Sequence, residues 1–261
     1  MKKVAKVLCI VLALVLLVAT LGALTACNNK KNGTLVLGVT YYDPMCYYNE
    51  NNELVGFDVE LAKAVAEKLN MNLKFQEISW DAKFVELNSG SIDCIWNGFS
   101  ISEVRKAECD FTKAYLGNKQ VAVIRTADDS QYVDKNSFTG KKGVAEAGSY
   151  GEDCAKTLTT NYTGVASQMS AITEVASNTA AFAVVDFTLA NQNCGQGSFA
   201  SLKITDAYVF EREYYGVGFK KGSALTAKVS AALVELYEDG TIATLAAKYG
   251  LSDLVVPVED K

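Results

Sequence analysis

Short apolar runs alternate with segments of helical periodicity along most of this chain, and this alternation constrains the fold more than any other feature. The first two runs, 34–39 and 73–75, are strand-like, and Asp58 between them is predicted to be the N-cap of a helix. The apolar residues of that helix recur at helical spacing, namely at Val59, Ala62, Ala66 and Leu69. Strands that alternate with helices predict parallel βαβ units and an α/β fold.

The same alternation continues to the end of the chain, after a polar and aromatic loop at 41–53. Further strands are predicted at 92–96, 120–124, 142–147, 180–185 and 215–219. Further helices are predicted at 80–87, ended by Gly90, and from 152 onward. The last helices, interrupted by Gly240, carry apolar faces made of Leu225, Val229, Leu233, Leu236 and Tyr237 and of Ile242, Leu245 and Tyr249.

The α/β pattern occurs twice, and the final helices have no strand of their own. We therefore expect two lobes, each a mixed, mostly parallel sheet flanked by helices. The chain would run through lobe one (34–124), lobe two (125–213) and lobe one again (214–261), crossing near 124–125 and 213–215. Ligands of open α/β sheets bind at the carboxyl ends of strands, so two facing lobes predict a closable ligand cleft.

The N-terminus has a different character from the rest. Three lysines within the first six residues precede an apolar run at 7–24, and the segment Leu24-Thr25-Ala26-Cys27 resembles a bacterial lipobox. We expect residues 1–26 to be a lipoprotein signal peptide, Cys27 to be lipidated, and 27–33 to be a tether. The alternative is a retained membrane helix, for which the apolar run is long enough.

Charge and composition exclude several kinds of site. Removal of residues 1–26 takes away three lysines and leaves 22 basic against 30 acidic residues, a net charge of −8 that argues against nucleic-acid partners. The chain has no histidine, which excludes His-based metal sites, Ser-His-Asp triads and Cys-His dyads. No catalytic residue, metal or cofactor is predicted. Five of the seven cysteines lie beyond Cys27, and they are interpreted as small buried residues, with a Cys154–Cys194 disulfide left open.

Three features at strand ends together match a zwitterion. Arg105 follows a polar turn after a buried strand, and a guanidinium binds a carboxylate in a bidentate fork. The Gly148-Ser149 turn precedes a helix whose N-terminus favours an anion. Asp186 ends an apolar strand, where its carboxylate can accept from an ammonium group. Taken singly, these would be a solvated arginine, a strand–helix turn and an N-cap aspartate.

Five segments resemble the polar amino-acid solute-binding proteins of bacterial ABC importers, whose fold is the two-lobed periplasmic-binding-protein type 2 fold. They match in order from about Thr34 to about Tyr249 and are GFDVELA at 56–62, IDCIWNGFSISEVR at 92–105, DFTKAY at 110–115, GKK at 140–142 leading to AGS at 147–149, and EDGT at 238–241. The resemblance implies a monomeric receptor outside the cytoplasm, held on the outer face of the cell membrane by Cys27. It would deliver a free L-amino acid to a separate ABC permease.

The resemblance also implies roles for single residues. Arg105, helped by the backbone N–H groups of Ser149 and Tyr150, would bind the ligand carboxylate, and Asp186 would bind the ammonium group. The signature residues Asn97, Gly98 and Ser100 would contact the ligand from lobe one, Gly98 through its carbonyl. Trp80 would line the side-chain pocket, and Tyr41 or Tyr42 would cover the other face.

The chain departs from the family pattern in several places. Thr40 stands where members that bind basic ligands often have an acid, and the aromatic loop at 43–48 is different. Glu146 would supply a carboxylate instead or would be a solvent-facing strand residue. Residues 176–179 lack the usual glycine of a lobe-two turn. Two other functions stay open, a dehydratase-like enzyme on the same fold with Glu146 as its base, and a sensory ligand-binding module.

Overall fold

A computed structural model describes residues 31–261. The predicted signal peptide and Cys27 lie outside the described residues. From residue 31 onward, no helix combines the length and the apolar content needed to cross a membrane.

The elements alternate much as the periodicity predicts. In chain order the strands are β1 (Thr34–Val39), β2 (Tyr47–Tyr48), β3 (Leu54–Val55), β4 (Asn72–Glu77), β5 (Cys94–Ile95), β6 (Asp110–Phe111), β7 (Ala114–Arg125), β8 (Gly143–Glu146), β9 (Tyr162–Val165), β10 (Phe182–Asp186), β11 (Leu202–Ile204), β12 (Arg212–Tyr215), β13 (Gly218–Phe219) and β14 (Val255–Glu259). The α-helices are α1 (Phe57–Lys68), α2 (Lys83–Ser89), α3 (Glu103–Glu108), α4 (Tyr150–Leu158), α5 (Gln168–Ala176), α6 (Phe187–Asn193), α7 (Ala224–Glu238) and α8 (Thr241–Lys248). Short 3-10 segments are Trp80–Ala82, Thr126–Gln131, Lys135–Phe138, Gly197–Phe199 and Ser252–Leu254.

Two larger sheets organise the described chain, and both are mixed. The first has the order β4-β1-β5-β13-β6, with β1 parallel to β4 and β5 and with β13 antiparallel to β5 and β6. The second has the order β11-β7-β10-β8-β9, with β8 parallel to β9 and β10 and with β7 antiparallel to β10 and β11. The predicted mixed α/β fold class is confirmed.

The long strand β7 of the second sheet changes partners along its length. Its Lys119 lies opposite Arg212 of β12, whereas the next residue, Gln120, lies opposite Asp186 of β10. The pairing of β7 therefore changes at 119–120, about five residues before the crossing that we expect from the sequence. Strand β12, which carries the expected return crossing, runs antiparallel beside the first half of β7. The full lobe boundaries remain a prediction.

Two sequence predictions near the C-terminus are wrong in detail. The single strand expected at 215–219 is two strands, since β12 ends at Tyr215 and β13 begins at Gly218. Gly216 between them packs close to Ile101, whose Cδ1 would lie 3.0 Å from a Cβ at this position, and its N–H donates to the Phe99 carbonyl. The last helices are followed by β14, which pairs with β7. Its buried residues alternate with exposed ones, the period-2 pattern of an edge strand.

Local predictions at three turns have mixed outcomes. Gly90 ends α2 in a left-handed conformation with φ 82°, as predicted. Residues 41–53 contain the short strand β2, which pairs with β3, so this segment is not wholly a loop. In the segment without the usual glycine, Asn178 adopts φ 63° and takes the left-handed position itself.

Candidate functional site

A cleft lies where the ends of β1, β5, β8 and β10 come together. The space between its walls is about 290 Å³, open solvent included. The lining residues are Thr40, Tyr42, Trp80, Asn97, Gly98, Ser100, Arg105, Gln120, Glu146, Ser149, Tyr150, Gln168 and Asp186. Every predicted ligand contact except Tyr41 is among them. Tyr41 instead packs against Tyr48, with ring centroids 5.2 Å apart.

Arg105 is buried at one end of the cleft, with a relative exposure of 5%. It stands in the first turn of α3, where Ser102 caps the helix by accepting from the Arg105 N–H. Its guanidinium donates to the carbonyls of Ser100 (3.0 Å) and Gly148 (3.4 Å) and lies 5.1 Å from the centroid of the Phe99 ring. Burial lowers the pKa of Arg105.

No carboxylate within the described residues forms an ion pair with Arg105. A buried cation without a charged partner is costly, and an anionic ligand would relieve that cost. The alternative that Arg105 is a solvated surface arginine is therefore wrong.

Asp58 holds the turn at Gly98 in place, a role that the sequence prediction missed. The N-cap position of α1 is Gly56, and Asp58 lies inside the first turn, so the predicted cap is wrong. The Asp58 carboxylate instead accepts from the Gly98 N–H at 2.7 Å. Burial raises the pKa of Asp58 to about 7, and the hydrogen bond from Gly98 opposes that rise. Gly98 itself has φ 57°, and a side chain there would collide with the Tyr42 hydroxyl.

Asn97, the neighbour of Gly98, ties β5 to the end of β1. Its Nδ2 donates to the carbonyl and the hydroxyl of Thr40, at 2.9 and 3.0 Å. Its Oδ1 is buried and has no partner among the residues that the structure describes. The turn between β5 and α3 is therefore fixed from two sides before a ligand arrives.

The turn after β8 forms a capped helix start. Ser149 is the N-cap of α4, its hydroxyl accepts from the Glu152 N–H (3.0 Å), and the Glu152 carboxylate accepts from the Gly148 N–H (2.9 Å). The Ser149 N–H already donates to the Glu146 carbonyl at 3.1 Å. Tyr150, the first residue of the helix, has no intrahelical acceptor for its N–H. Of the two predicted donors, Tyr150 is thus the freer one.

Asp186 lies at the opposite end of the cleft, 5% exposed, within a set of side-chain amides. Its Oδ1 accepts from Asn118 (3.0 Å) and Gln120 (2.5 Å), and its Oδ2 accepts from Gln168 (2.5 Å). Gln168 also accepts from the Asp186 N–H at 2.8 Å. Asp186 occupies the N-cap position of α6 but makes no side-chain cap, so the N-cap alternative does not explain it. Burial raises its pKa, and the amides from Gln168 and Gln120 oppose that rise.

Two more buried carboxylates adjoin Asp186. Glu146 ends β8 and is 3% exposed, so the solvent-facing interpretation is wrong. Burial, reinforced by the charge of Asp186, raises the pKa of Glu146 to about 8. Glu213 of β12 accepts from Asn118 (2.5 Å) and Gln120 (2.7 Å), and the same two causes raise its pKa to about 7.

Lys83 is the second buried cation next to the cleft. Its Nζ donates to the carbonyls of Gly148 (2.8 Å) and Trp80 (3.0 Å) and lies 5.3 Å from the centroid of the Trp80 ring. Burial, together with the positive charge of Arg105, lowers the pKa of Lys83 to about 8. Lys83 of α2 and Arg105 of α3 both donate to the Gly148 carbonyl. These two cations therefore hold the turn that carries Ser149.

Sequence reasoning missed the amides and Lys83. Asn118 and Gln120 stand two apart on the same face of β7, a polar pattern that could have marked them. Gln168 and Lys83 lie on helices with ordinary sequence surroundings, and nothing local distinguishes them. The five described cysteines are free, and Cys154 and Cys194 do not form the disulfide that the sequence left open.

Comparison with known proteins agrees with this architecture. Residues 35–252 match the family of bacterial extracellular solute-binding proteins, family 3. The chain is 28% identical over 243 residues to the arginine-binding extracellular protein ArtP of Bacillus subtilis (strain 168), covering 87% of this chain and 92% of that protein.

Solved structures share the fold. An ancestral arginine-binding protein bound to arginine is 31% identical with a TM-score of 0.77, covering 84% of this chain and 98% of that one. The ancestral amino acid-binding protein AncCDT-1, a precursor of cyclohexadienyl dehydratase, is 26% identical with a TM-score of 0.76, covering 83% and 95%. The chain belongs to the bacterial extracellular solute-binding proteins of family 3 and has their two-lobed type 2 binding-protein fold.

Proposed function

We propose that this protein captures a free L-amino acid in the cleft and passes it to an ABC permease. The observation that carries the proposal is the unpaired, buried Arg105, with the amide-bound Asp186 at the other end of the same cleft. A zwitterion supplies a carboxylate to the first and an ammonium group to the second. The arginine ligand named for ArtP and for the ancestral protein supports this class of ligand.

Single roles follow from the contacts. Arg105 and the Tyr150 N–H bind the carboxylate, with Ser149 shaping the helix start. Asp186 binds the ammonium group, aided from the other sheet by the Gly98 carbonyl and Ser100. Trp80 and Tyr42 enclose the side chain.

The test is a titration of the full chain, in detergent, with the twenty amino acids. Binding to the folded state raises stability by RT ln(1 + [L]/Kd), so a thermal-shift screen finds the ligand and calorimetry gives its Kd. Small-angle scattering then compares the radius of gyration with and without that ligand. We expect a smaller radius on binding, since the first half of β7 and β12 form paired strands about which two lobes can close. Failure of all twenty to bind overturns the proposal.

We propose that the protein works outside the cytoplasm as a monomer and that lipidated Cys27 holds it on the outer face of the membrane. The motif Leu24-Thr25-Ala26-Cys27 supports this. Cys27→Ala should move the protein from the membrane fraction to the soluble fraction. Complete membrane retention of that variant would favour the alternative, an uncleaved membrane helix.

We also propose that the cleft binds without turnover. The acid that could act as a base, Glu146, lies beside Lys83 and Asp186 without a hydrogen-bonded partner that would orient it. Incubation of the bound amino acid with the protein should return it unchanged by mass spectrometry, and recovery of a dehydrated product would favour the enzyme.

A further inference from the structure

Of the two acids that line the cleft, Glu146 is the one to which no group of the described residues donates a hydrogen bond. Its Oε1 is fully buried and has no hydrogen-bond partner among residues 31–261. Burying a carboxylate without partners is expensive, and native proteins do it where a ligand completes the site. The neighbouring Asp186 shows the contrast, because three amide groups already donate to it.

The two buried cations at the cleft donate to backbone carbonyls. Lys83 donates to the carbonyls of Trp80 and Gly148, and Arg105 donates to those of Ser100 and Gly148. Neither forms an ion pair with an acid of the described chain within 4.0 Å. Glu146 therefore faces the same cleft as Arg105 and Asp186 with a buried oxygen that a ligand group can still pair with.

The charges at the cleft indicate which charge the ligand side chain carries. Asp186 takes the ammonium group and Arg105 takes the carboxylate of a zwitterion, which leaves Glu146 without a counterpart. Trp80 and Tyr42 line the same space, and aromatic faces attract cations. A positive group on the ligand side chain would pair with Glu146 and would also be attracted by these rings.

We propose that Glu146 is the specificity residue of this site and that it binds a positively charged side chain, which makes cationic amino acids the ligand class. This inference rests on the proposed function and sharpens it. The acid comes from β8 of the second sheet, whereas β1 of the first sheet presents the neutral Thr40 to the cleft.

The site should release a proton when it binds. The groups that act on Glu146 are Asp186 from β10, Lys83 from α2 and Asp81 from the 3-10 segment before α2. Because the pKa of Glu146 is raised to about 8, the carboxyl is largely protonated at neutral pH before binding. A cation stabilises the ionised form and lowers that pKa, so affinity should increase as pH rises from 6 to 8. Asp58 and Glu213 also titrate near pH 7, so a Glu146 variant is needed to assign the effect.

The experiment measures matched ligand pairs by calorimetry on the full chain in detergent. L-Arginine is compared with L-citrulline, and L-lysine with L-norleucine, since each pair differs mainly in the side-chain charge. At least one cationic member should bind about 30-fold or more tighter than its neutral match. Glu146→Gln should reduce that ratio to roughly threefold or less and remove most of the pH dependence.

The control is Asp206→Asn, which removes one exposed negative charge from a loop residue that does not line the cleft. It should change the ratio by less than about twofold, since exposed charges are screened. Glu146→Asp, with melting curves for all variants, separates loss of charge from loss of folding, because it keeps the charge.

Two results overturn the inference alone. One is wild-type protein that binds both neutral members as tightly as the cationic ones. The other is a folded Glu146→Gln variant with an unchanged ratio. If no amino acid binds the wild type at all, the proposed function fails, and the inference fails with it.

Discussion

At one end of the cleft Arg105 is held by backbone carbonyls, whereas at the other end Asp186 is held by side-chain amides. Arg105 has five N–H donors and directs two of its nitrogens to Ser100 and Gly148, so donors remain for a ligand. Asp186 has about four acceptor sites and uses three of them on Asn118, Gln120 and Gln168. The difference suggests that the Arg105 end binds more strongly, while the Asp186 end is more rigidly positioned.

The largest effect should come from removal of the guanidinium. Arg105→Ala should raise Kd for the captured amino acid by about 30-fold to several thousand-fold, since truncating one partner of a buried charge pair costs roughly 2–5 kcal/mol. Arg105→Lys should restore little of the lost affinity, because an ammonium group cannot form the planar fork with a carboxylate. Calorimetry with circular dichroism measures both binding and folding.

A matched control is Arg212→Ala, which removes an exposed arginine from β12. Its affinity should stay within about twofold of wild type. Near-native affinity in Arg105→Ala would remove Arg105 from the carboxylate site and would reverse the comparison of the two ends.

Asp186→Asn should have the next largest effect, about 10- to 100-fold in Kd, since the charge is lost while the shape stays. Its new NH₂ group would face amides that already donate, so stability should fall too. Asp206→Asn, at an exposed loop position, is the control. A greater loss in Asp186→Asn than in Arg105→Ala would show that the amide-bound end dominates.

The sequence predicted these two charged ends better than it predicted what holds them. Arg105 and Asp186 stand at strand ends within recognisable segments, and local order along the chain is enough to find them. Asn118 and Gln120 of β7 meet Asp186 through long-range sheet pairing, and Gln168 reaches it from the start of α5. Such contacts depend on strand register, which a single sequence does not specify.

Asp58 illustrates the same limit at the other end. Asp58 precedes an apolar helical stripe, a position that is typical of an N-cap, so the local sequence alone predicts a cap. Its actual partner, Gly98, lies forty residues further along the chain. By contrast, the helix stop at Gly90 depends on local backbone conformation alone and was predicted correctly.

Gln168→Leu should have a smaller effect on Kd, about three- to tenfold, because Gln168 acts on the ligand only by orienting Asp186. The carboxylate and the Asp186 N–H both lose a partner, so the free energy of unfolding should fall by roughly 1–3 kcal/mol. A double-mutant cycle with Asp186→Asn measures the coupling. If Gln168 only supports the fold, stability will fall while the two mutations affect binding additively.

The smallest effect on affinity is expected from Asp58→Asn and Glu213→Gln. Asp58 holds the turn at Gly98, and Glu213 accepts from the amides that also bind Asp186, so the pH dependence of stability reports on both supports. Both carboxyls have pKa values raised by burial to about 7. The native state then holds protons that the unfolded chain has released, so stability falls as pH rises from about 4 to about 7. Each amide variant keeps an acceptor for its partners and removes the titration.

Urea unfolding of the ligand-free protein from pH 5 to pH 8 should therefore give a steep loss of stability in wild type and a shallower loss in each variant. One unit of pKa shift corresponds to about 1.4 kcal/mol, so the change per variant should be a few kcal/mol at most. Affinity should stay within about threefold, since Asp58 and Glu213 act behind the residues that touch the ligand. A flattened profile in Glu213→Gln alone would place the pH-sensitive support at the Asp186 end. Equal, unchanged slopes in both variants would mean that neither carboxyl is protonated in the native state.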